Sequence, residues 1–597
     1  MTNKKEKKPF VLFKLAPFLK PYKWSLLAAV LAIVVSVAAN AAAPMTEGLI
    51  TTQLLKDVTD MAKGVPGAGV RFDYVLRIMG ILLCFYALNA GGQFACNFLL
   101  TNAVQNAMRD LRDTVEQKIR KLPIRYFDSH AVGDVQSRIS NDVDTISNAL
   151  QQSFTQVIVA VLMLVFAIVM LYSIHWVMAT AAILIIPLSA LVSQFVIRKS
   201  QKHFVRQQNA LGRLNGKVQE MYTGFSEIKL YGKQEDAKKD FGAVNQELCE
   251  SGFKAQFVSG LMSPLVSLVT YLGIAVTAVM GALYAVAGAI TVGNLQAFVR
   301  YIWQINQPLS QVTQLSATIQ AAFAAMGRVF EFLEAEEEVP EAKEPVKLSA
   351  VRGDVSFEHV FFSYSPEKPL IKDFDAQVKS GQMVAIVGPT GVGKTTLINL
   401  LMRFYDVTGG AIKIDGVDIR DMRRQDLRAM FAMVLQDTWL FRGTIAENIA
   451  YGNQGATRED IVRAAKTANV HHFIKTLAGG YDMVINEEAS NISQGEKQLL
   501  TIARAILKDP AILILDEATS SVDTRLEQML QEAMKNMMRG RTSFVIAHRL
   551  STIKSADMIL VLADGNIAEQ GTHSELMAKG GVYEKLYNSQ FANKQEA

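Results

Sequence analysis

Residues 383–387, Met-Val-Ala-Ile-Val, are a short apolar run with strand character. They lead into Gly388-Pro389-Thr390-Gly391-Val392-Gly393-Lys394-Thr395, and then into the helical run Thr396-Leu397-Ile398-Asn399-Leu400-Leu401. This is the phosphate-loop pattern in the strand–loop–helix setting that it requires. The glycines let backbone N–H groups turn inward and cradle phosphate oxygens, and the helix start adds positive potential. Lys394 reaches the β- and γ-phosphates of a nucleotide, and the Thr395 hydroxyl is placed for Mg²⁺. A second apolar run, Ala511-Ile512-Leu513-Ile514-Leu515, ends in Asp516-Glu517. An acid at the end of a strand beside the phosphate loop adds a Mg²⁺ contact, and the next carboxylate, Glu517, polarises an attacking water. Alone, the pair is a strand-end charge in solvent; beside a phosphate loop it is the equipment for attack of water on a γ-phosphate.

The elements that must carry these residues are of two kinds. Of 597 residues, 50% are hydrophobic and 20% charged, with a mean hydropathy of +0.18. That is too apolar for an ordinary soluble enzyme, and it excludes a disordered chain. The net charge of +5 argues against a nucleic-acid binder with a strong basic patch and suits basic cytoplasmic loops. Residues 24–46, 78–108, 145–197, 255–299 and 301–327 contain no Asp, Glu, Lys or Arg. A spanning helix needs about 20 such residues. The pattern predicts six spans, at 24–48, 76–100, 152–173, 176–197, 257–287 and 295–325, with a break near Ser173-Ile174-His175-Trp176 and a turn from Gly288 to Asn294. Buried helices of a soluble core seldom run uncharged for so long. No cleavable signal peptide is expected. Cys84 and Cys96 would stand about 18 Å apart on one helix, too far to bridge; these two and Cys249 read as reduced thiols.

The basic segments 101–144 and 198–254 place those loops, and both termini, in the cytoplasm. A helix continued from 101 to 122 reaches about 33 Å beyond the membrane, so the spans should extend as rods that turn near 128–134 and 222–226. Residues 1–23, basic with an amphipathic stretch at 10–19, read as an N-terminal interfacial helix. The membrane domain covers 24–330, an acidic, proline-containing linker 331–350, a domain of alternating strands and helices 351–590, and a tail 591–597.

Further motifs give these domains a family. With Asn491-Ile492-Ser493-Gln494-Gly495-Glu496-Lys497-Gln498, Asp516-Glu517-Ala518-Thr519-Ser520-Ser521-Val522-Asp523 and Ala547-His548-Arg549, the chain resembles an ATP-binding cassette (ABC) exporter half-transporter. The resemblance implies an α-helical membrane domain of six transmembrane helices followed by an α/β P-loop cassette, with ATP and Mg²⁺ as cofactors. It places Tyr364 on adenine, and Gly388 to Thr396 (Gly388, Pro389, Thr390, Gly391, Val392, Gly393, Lys394, Thr395, Thr396) around the phosphates. Thr395, Gln436 and Asp516 would hold Mg²⁺. Ser493 and Gly495 of the signature would face the nucleotide of the opposite subunit, and Asp523 would cross the same interface. Glu517, His548 and Lys394 would be catalytic. Alone, His548 reads as a packing histidine and Tyr364 as a strand aromatic. Residues 134–141 and 224–229 match the regions around two coupling helices.

The usual signature is Leu-Ser-Gly-Gly-Gln, and this chain departs from it. Gln494 replaces a glycine where backbone approaches phosphate, and Glu496 replaces the glutamine. Residues 487–490 also lack the family's Gly-Glu-Arg-Gly loop. The pattern resembles the hydrolysis-competent subunit of a heterodimeric exporter; drift within a homodimer is the alternative. Span six carries Arg300, Gln304, Asn306, Gln307, Gln311, Gln314 and Gln320 beside Phe298, Tyr301, Trp303 and Phe323. Polar groups at membrane depth face protein or a water-filled path. The mixed lining suits amphiphilic drugs or lipids moved by alternating access, although interhelical packing explains it as well. A lipid flippase and an importer built on the exporter fold are the alternatives, in a multi-pass protein of a bacterial plasma membrane. A protease-bearing peptide exporter would need more chain ahead of Trp24, and a soluble repair or translation cassette would lack the spans.

Overall fold

The computed structural model describes residues 8–365, 367–435, 438–487, 489–516, 524–547 and 549–591, without the side chains of 8–12, 306–317, 524, 551, 590 and 591. Along the chain run α1 (Lys8–Leu19), α2 (Lys23–Ala62), α3 (Phe72–Ile119), α4 (Ile124–Ser129), α5 (Val132–Ser137), α6 (Val143–Ile174), α7 (Trp176–Ile183), α8 (Ile185–Thr223), α9 (Phe225–Leu230), α10 (Gln234–Gly260), α11 (Met262–Val286) and α12 (Val292–Leu333). Among the described residues, twelve strands, ten further α-helices and two short 3-10 helices follow. The chain divides into two compact units: Met1–Lys121 with His130–Ala335, and Leu122–Ser129 with Glu336–Ala597.

Among its described residues, the first unit has helices and no strand. Among the described residues, five continuous helical arms are long and apolar enough to cross a membrane: Phe13–Ala62, Phe72–Ile119, Val132–Ile174, Trp176–Thr223 and Gln234–Val286. The sixth arm is α12, whose side chains at 306–317 are not described. At 48 residues, α3 is about 72 Å long, more than twice the bilayer's hydrocarbon thickness of about 30 Å. The helix is therefore long enough to continue well past a single span. The break in the long uncharged tract falls at His175, whose φ of −162° and ψ of 120° are extended. Thr291 caps α12 by accepting from the Asn294 N–H at 3.1 Å.

Two kinds of contact hold the arms together. A Cβ on Gly293 would stand 1.8 Å from the Gly48 carbonyl oxygen, so α2 and α12 cross in direct backbone contact. Small residues at such crossings are how membrane helices gain packing. Tyr301 donates to the Ala41 carbonyl at 2.7 Å along the same seam. Near the end of α12, Arg328 grips the buried Asp142 with two bonds of 2.8 and 2.5 Å. Leu15 of α1 is buried, and Lys14 pairs with Glu334 at 2.8 Å, so α1 rests on α12 rather than on lipid alone. The three cysteines are free thiols.

The second unit is an α/β domain. A six-stranded sheet runs β12 (Asn566–Gly571), β11 (Met558–Ala563), β3 (Met383–Val387), β10 (Thr542–Ile546), β9 (Ile512–Asp516), β6 (Phe431–Val434). All pairs are parallel except β11–β12. Side chains alternate between its faces: Val384, Ile386, Ile512 and Ile514 enter one core, and Ala385, Val387, Leu513 and Leu515 the other. Covering on both faces explains why these strands are continuously apolar. A four-stranded sheet, β2 (Ile371–Val378), β1 (Val355–Phe362), β4 (Gly409–Ile414) and β5 (Val417–Asp418), completes the domain with the pair β7 (Gly443–Thr444) and β8 (Val484–Ile485).

The linker's acidic run is held by arginines of the second unit: Glu341 accepts from the Arg424 N–H at 3.0 Å, and Glu338 pairs with Arg424 at 3.5 Å and Arg428 at 3.8 Å. The segment packed with this domain is Leu122–Ser129, earlier in the chain than the coupling region read at 134–141. Residues 134–141 instead fall in α5 and in the π-helical segment Arg138–Asp142 that leads into α6. Pro123 is the local reason, since proline cannot continue α3 and starts a new helix well.

Candidate nucleotide site

β3 ends at Val387, and the phosphate loop follows at the carboxyl end of the sheet, where α/β proteins place ligands. Gly391 (φ +85°) and Gly393 (φ +107°) adopt backbone that only glycine takes without strain. A Cβ on Gly391 would meet nothing within 4 Å, so that part of the cradle is open. Gly393 is the N-cap of the helix Lys394–Leu401 and offers no side chain to its first turn. Those N–H groups are left to bind an anion. The Lys394 ammonium donates to the carbonyls of Gly388 at 2.7 Å and Pro389 at 3.0 Å, which fixes it over the loop. Burial lowers its pKa from the ordinary lysine value, and the charge of Asp516 partly opposes that shift.

Sheet register places Asp516. Ile386 of β3 pairs with Ile546 of β10, which pairs with Asp516 of β9. Asp516 is thus level with the end of β3 and two strands away, about 10 Å. Tyr364 lies beside the loop, with its hydroxyl 3.1 Å from the Thr396 hydroxyl and its side chain 40% exposed. Thr396 is buried, whereas Thr395 is exposed. Phe362 and Tyr405 support Tyr364 edge-on, at centroid distances of 4.9 and 5.0 Å. Tyr405 donates to Asp128 of α4, and Arg125 donates to the Tyr364 carbonyl at 3.4 Å. Sequence reasoning did not pick out Tyr405, Asp128 or Arg125, because no motif spacing links residues so far apart in the chain.

Ser493 caps the helix Gln494–Lys508. Glu496 accepts from both the Ser493 N–H at 2.9 Å and the Ser493 hydroxyl at 2.6 Å. Gln494 is exposed and Gly495 buried. Gln436, Glu517, Asp523 and His548 lie outside the described residues. What is described fits the phosphates of a nucleotide: an open glycine cradle, an uncapped helix start and an anchored cation.

The membrane unit matches the ABC transporter transmembrane region model over residues 26–309, and the second unit matches the ABC transporter model over 371–520. A fatty acid ABC transporter ATP-binding/permease protein of Mycobacterium bovis is 47% identical over 522 residues, spanning 87% of this chain and 82% of that protein. The chain belongs to the ABC transporter family. An ATP-dependent lipid A-core flippase of Syntrophus aciditrophicus is 35% identical over 510 residues, covering 85% of each chain. A solved bacterial Atm1-family ABC exporter with ATP bound superposes with a TM-score of 0.72 at 29% identity, over 95% of this chain and 98% of that one. The transporter is therefore a half-transporter of exporter type: a multi-pass membrane unit and an ATP-binding cassette in one chain.

Proposed function

We propose that this transporter is one half of a two-chain, ATP-driven exporter of lipid-like, long-chain amphiphiles. The observation that carries the proposal is an open phosphate cradle on the same chain as helical arms twice the thickness of a bilayer. The names of its relatives, a fatty acid transporter and lipid A-core flippases, support the substrate class. Lys394 and the loop N–H groups bind the β- and γ-phosphates, Thr395, Gln436 and Asp516 hold Mg²⁺, and Tyr364 stacks on adenine. Glu517 polarises the attacking water, and His548 holds the γ-phosphate. Bound ATP supplies the γ-phosphoryl group and the energy of closure. Ser493, Gly495 and Asp523 serve the nucleotide of the opposing subunit.

Reconstitution in vesicles tests the whole reading: a fluorescent long-chain fatty acid should move outward only with ATP. Inward movement would make the protein an importer. No movement of any fatty acid or phospholipid would remove the substrate class. Glu517→Gln should keep ATP binding and lower turnover about 100-fold or more; near-normal turnover would put the base elsewhere.

The signature supports a second, different half-transporter as the partner. Glu496 engages the hydroxyl that would face a phosphate, and it adds negative charge there. An extract of the native complex in mild detergent should give a 1:1 mass with an unlike subunit. A homodimer with brisk ATPase would refute asymmetric sites. Transport should survive Gln494→Gly with Glu496→Gln if this signature serves a degenerate site.

A further inference from the structure

The membrane unit carries two opposite charges within the tracts read as its first and sixth spans, 24–48 and 295–325. Glu47 is on α2, and Arg300 is on α12, eight residues after its start at Val292 and so about 12 Å in from that end. Charged side chains at such depth are costly and mark pathways or binding sites. Here the two are held unequally. Tyr86 of α3 donates to Glu47 Oε1 at 2.7 Å, and Glu47 Oε2 stands 3.8 Å from Arg300 Nε. Side chains slant toward the N-terminus of their own helix, so Glu47 and Tyr86, on antiparallel helices, reach toward each other. The Glu47 side chain is 22% exposed, while that of Arg300 is 63% exposed. A separation of 3.8 Å is an ion pair but not a hydrogen bond, and the guanidinium makes no hydrogen bond to any described residue. Gln304 lies one turn further along the same face of α12. Its Oε1 is buried and has no hydrogen-bond partner among the described residues.

A guanidinium with its donors free and an amide with an unmet acceptor stand one turn apart, beside a carboxylate that keeps its own tyrosine. We propose that Arg300 is the headgroup site for a singly charged, carboxylate-bearing amphiphile. The arriving carboxylate takes the bidentate face of Arg300. Glu47 gives up the ion pair and keeps its hydrogen bond to Tyr86, its charge then resting on that bond and on its partial exposure. The unmet Gln304 Oε1 is itself an acceptor and makes no bond to a carboxylate, so the head is held by Arg300. One arginine facing a resident carboxylate offers a single exchange of charge, which suits a monoanion and disfavours a doubly charged phosphate monoester. The assignment rests on the lipid-like substrate proposed above and adds to it the head's chemistry and its residue.

The test measures binding of palmitate to the purified transporter with its partner subunit in nanodiscs. Arg300→Gln should weaken palmitate about tenfold or more, the worth of one charge-assisted hydrogen bond, and should change binding of methyl palmitate far less. Glu47→Gln should act in the opposite direction and tighten palmitate several-fold, because the resident competitor has lost its charge. A merely structural ion pair would give weaker binding in both variants. Should Arg300→Gln fail to fold, the sign in Glu47→Gln decides alone: unchanged or weaker binding overturns the site. Hexadecyl phosphate binding as tightly as palmitate would overturn the carboxylate assignment. An unaltered transporter blind to palmitate removes the fatty-acid reading and this site with it. Palmitate bound equally by the unaltered protein and both variants removes the site alone.

Discussion

Lys394 shows how far a single side chain can be read from its neighbours. Its glycines are adjacent in sequence, so the cradle was legible before any fold was known. Lys394→Met should weaken ATP binding about tenfold to 100-fold, the loss of one or two charge-assisted hydrogen bonds. Titration calorimetry would show it, and unchanged affinity would mean that the ammonium's bonds to Gly388 and Pro389 are its whole role. Thr396 was legible only in part. Its place in the motif marks it as phosphate-binding, but its hydroxyl faces Tyr364, 32 residues earlier in the chain. Glu496 looked like a defect in the signature. In the fold it also ties down the N-cap Ser493, which a glutamine can do less strongly because it lacks the charge.

At the scale of elements, the helices followed from charge and the crossings did not. Gly293 and Gly48 are unremarked glycines in sequence, yet their backbones touch. Gly293→Ala should cost about 1–3 kcal/mol or more through overpacking, seen as a lower unfolding temperature in detergent. Gly212→Ala, with nothing within 4 Å of its Cβ, should be neutral or slightly stabilising; equal losses in the two would mean that the crossing is not tight. Arg328→Ala would leave Asp142, itself 5% exposed, without its cation. The expected loss is about 1–3 kcal/mol, reduced from that of a fully buried pair because Arg328 is half exposed. Adding Asp142→Asn should recover part of it, and no recovery would show that the carboxylate is not the problem. The linker is legible in the sequence only as acidic and proline-containing, because a run of charge does not name its partner. Arg424 and Arg428, its partners, come more than 80 residues later.

At the scale of the whole molecule, the α/β unit carries a built-in dependence on pH. His471 Nδ1 meets the Tyr481 hydroxyl at 2.7 Å, and His573 Nδ1 meets that of Tyr583 at 2.7 Å. Burial lowers both histidine pKa values below 6.5, helped by Lys475, Lys466 and His472 for the first and by Lys554 for the second. The unfolded chain then takes up these protons before the folded one. Stability is fully present above pH 6.5 and declines as pH falls through the window below it. Thermal unfolding between about pH 5 and pH 8 should show that slope, and replacing both histidines with glutamine should flatten it. An unchanged slope would assign the acid lability to carboxylates. The sequence by itself determined the spans, the phosphate loop, the strand-end acid and the family, because each is written in residues that are neighbours along the chain. Hydropathy acts through a continuous segment, and a nucleotide cradle is built from one turn. Only the tertiary structure decided where Tyr364 finds Thr396, which arginines hold the linker, where α2 meets α12, and that Glu47, Tyr86 and Arg300 meet within the membrane unit. Those contacts join distant segments, and their energies depend on distance and burial, which spacing in a sequence does not encode.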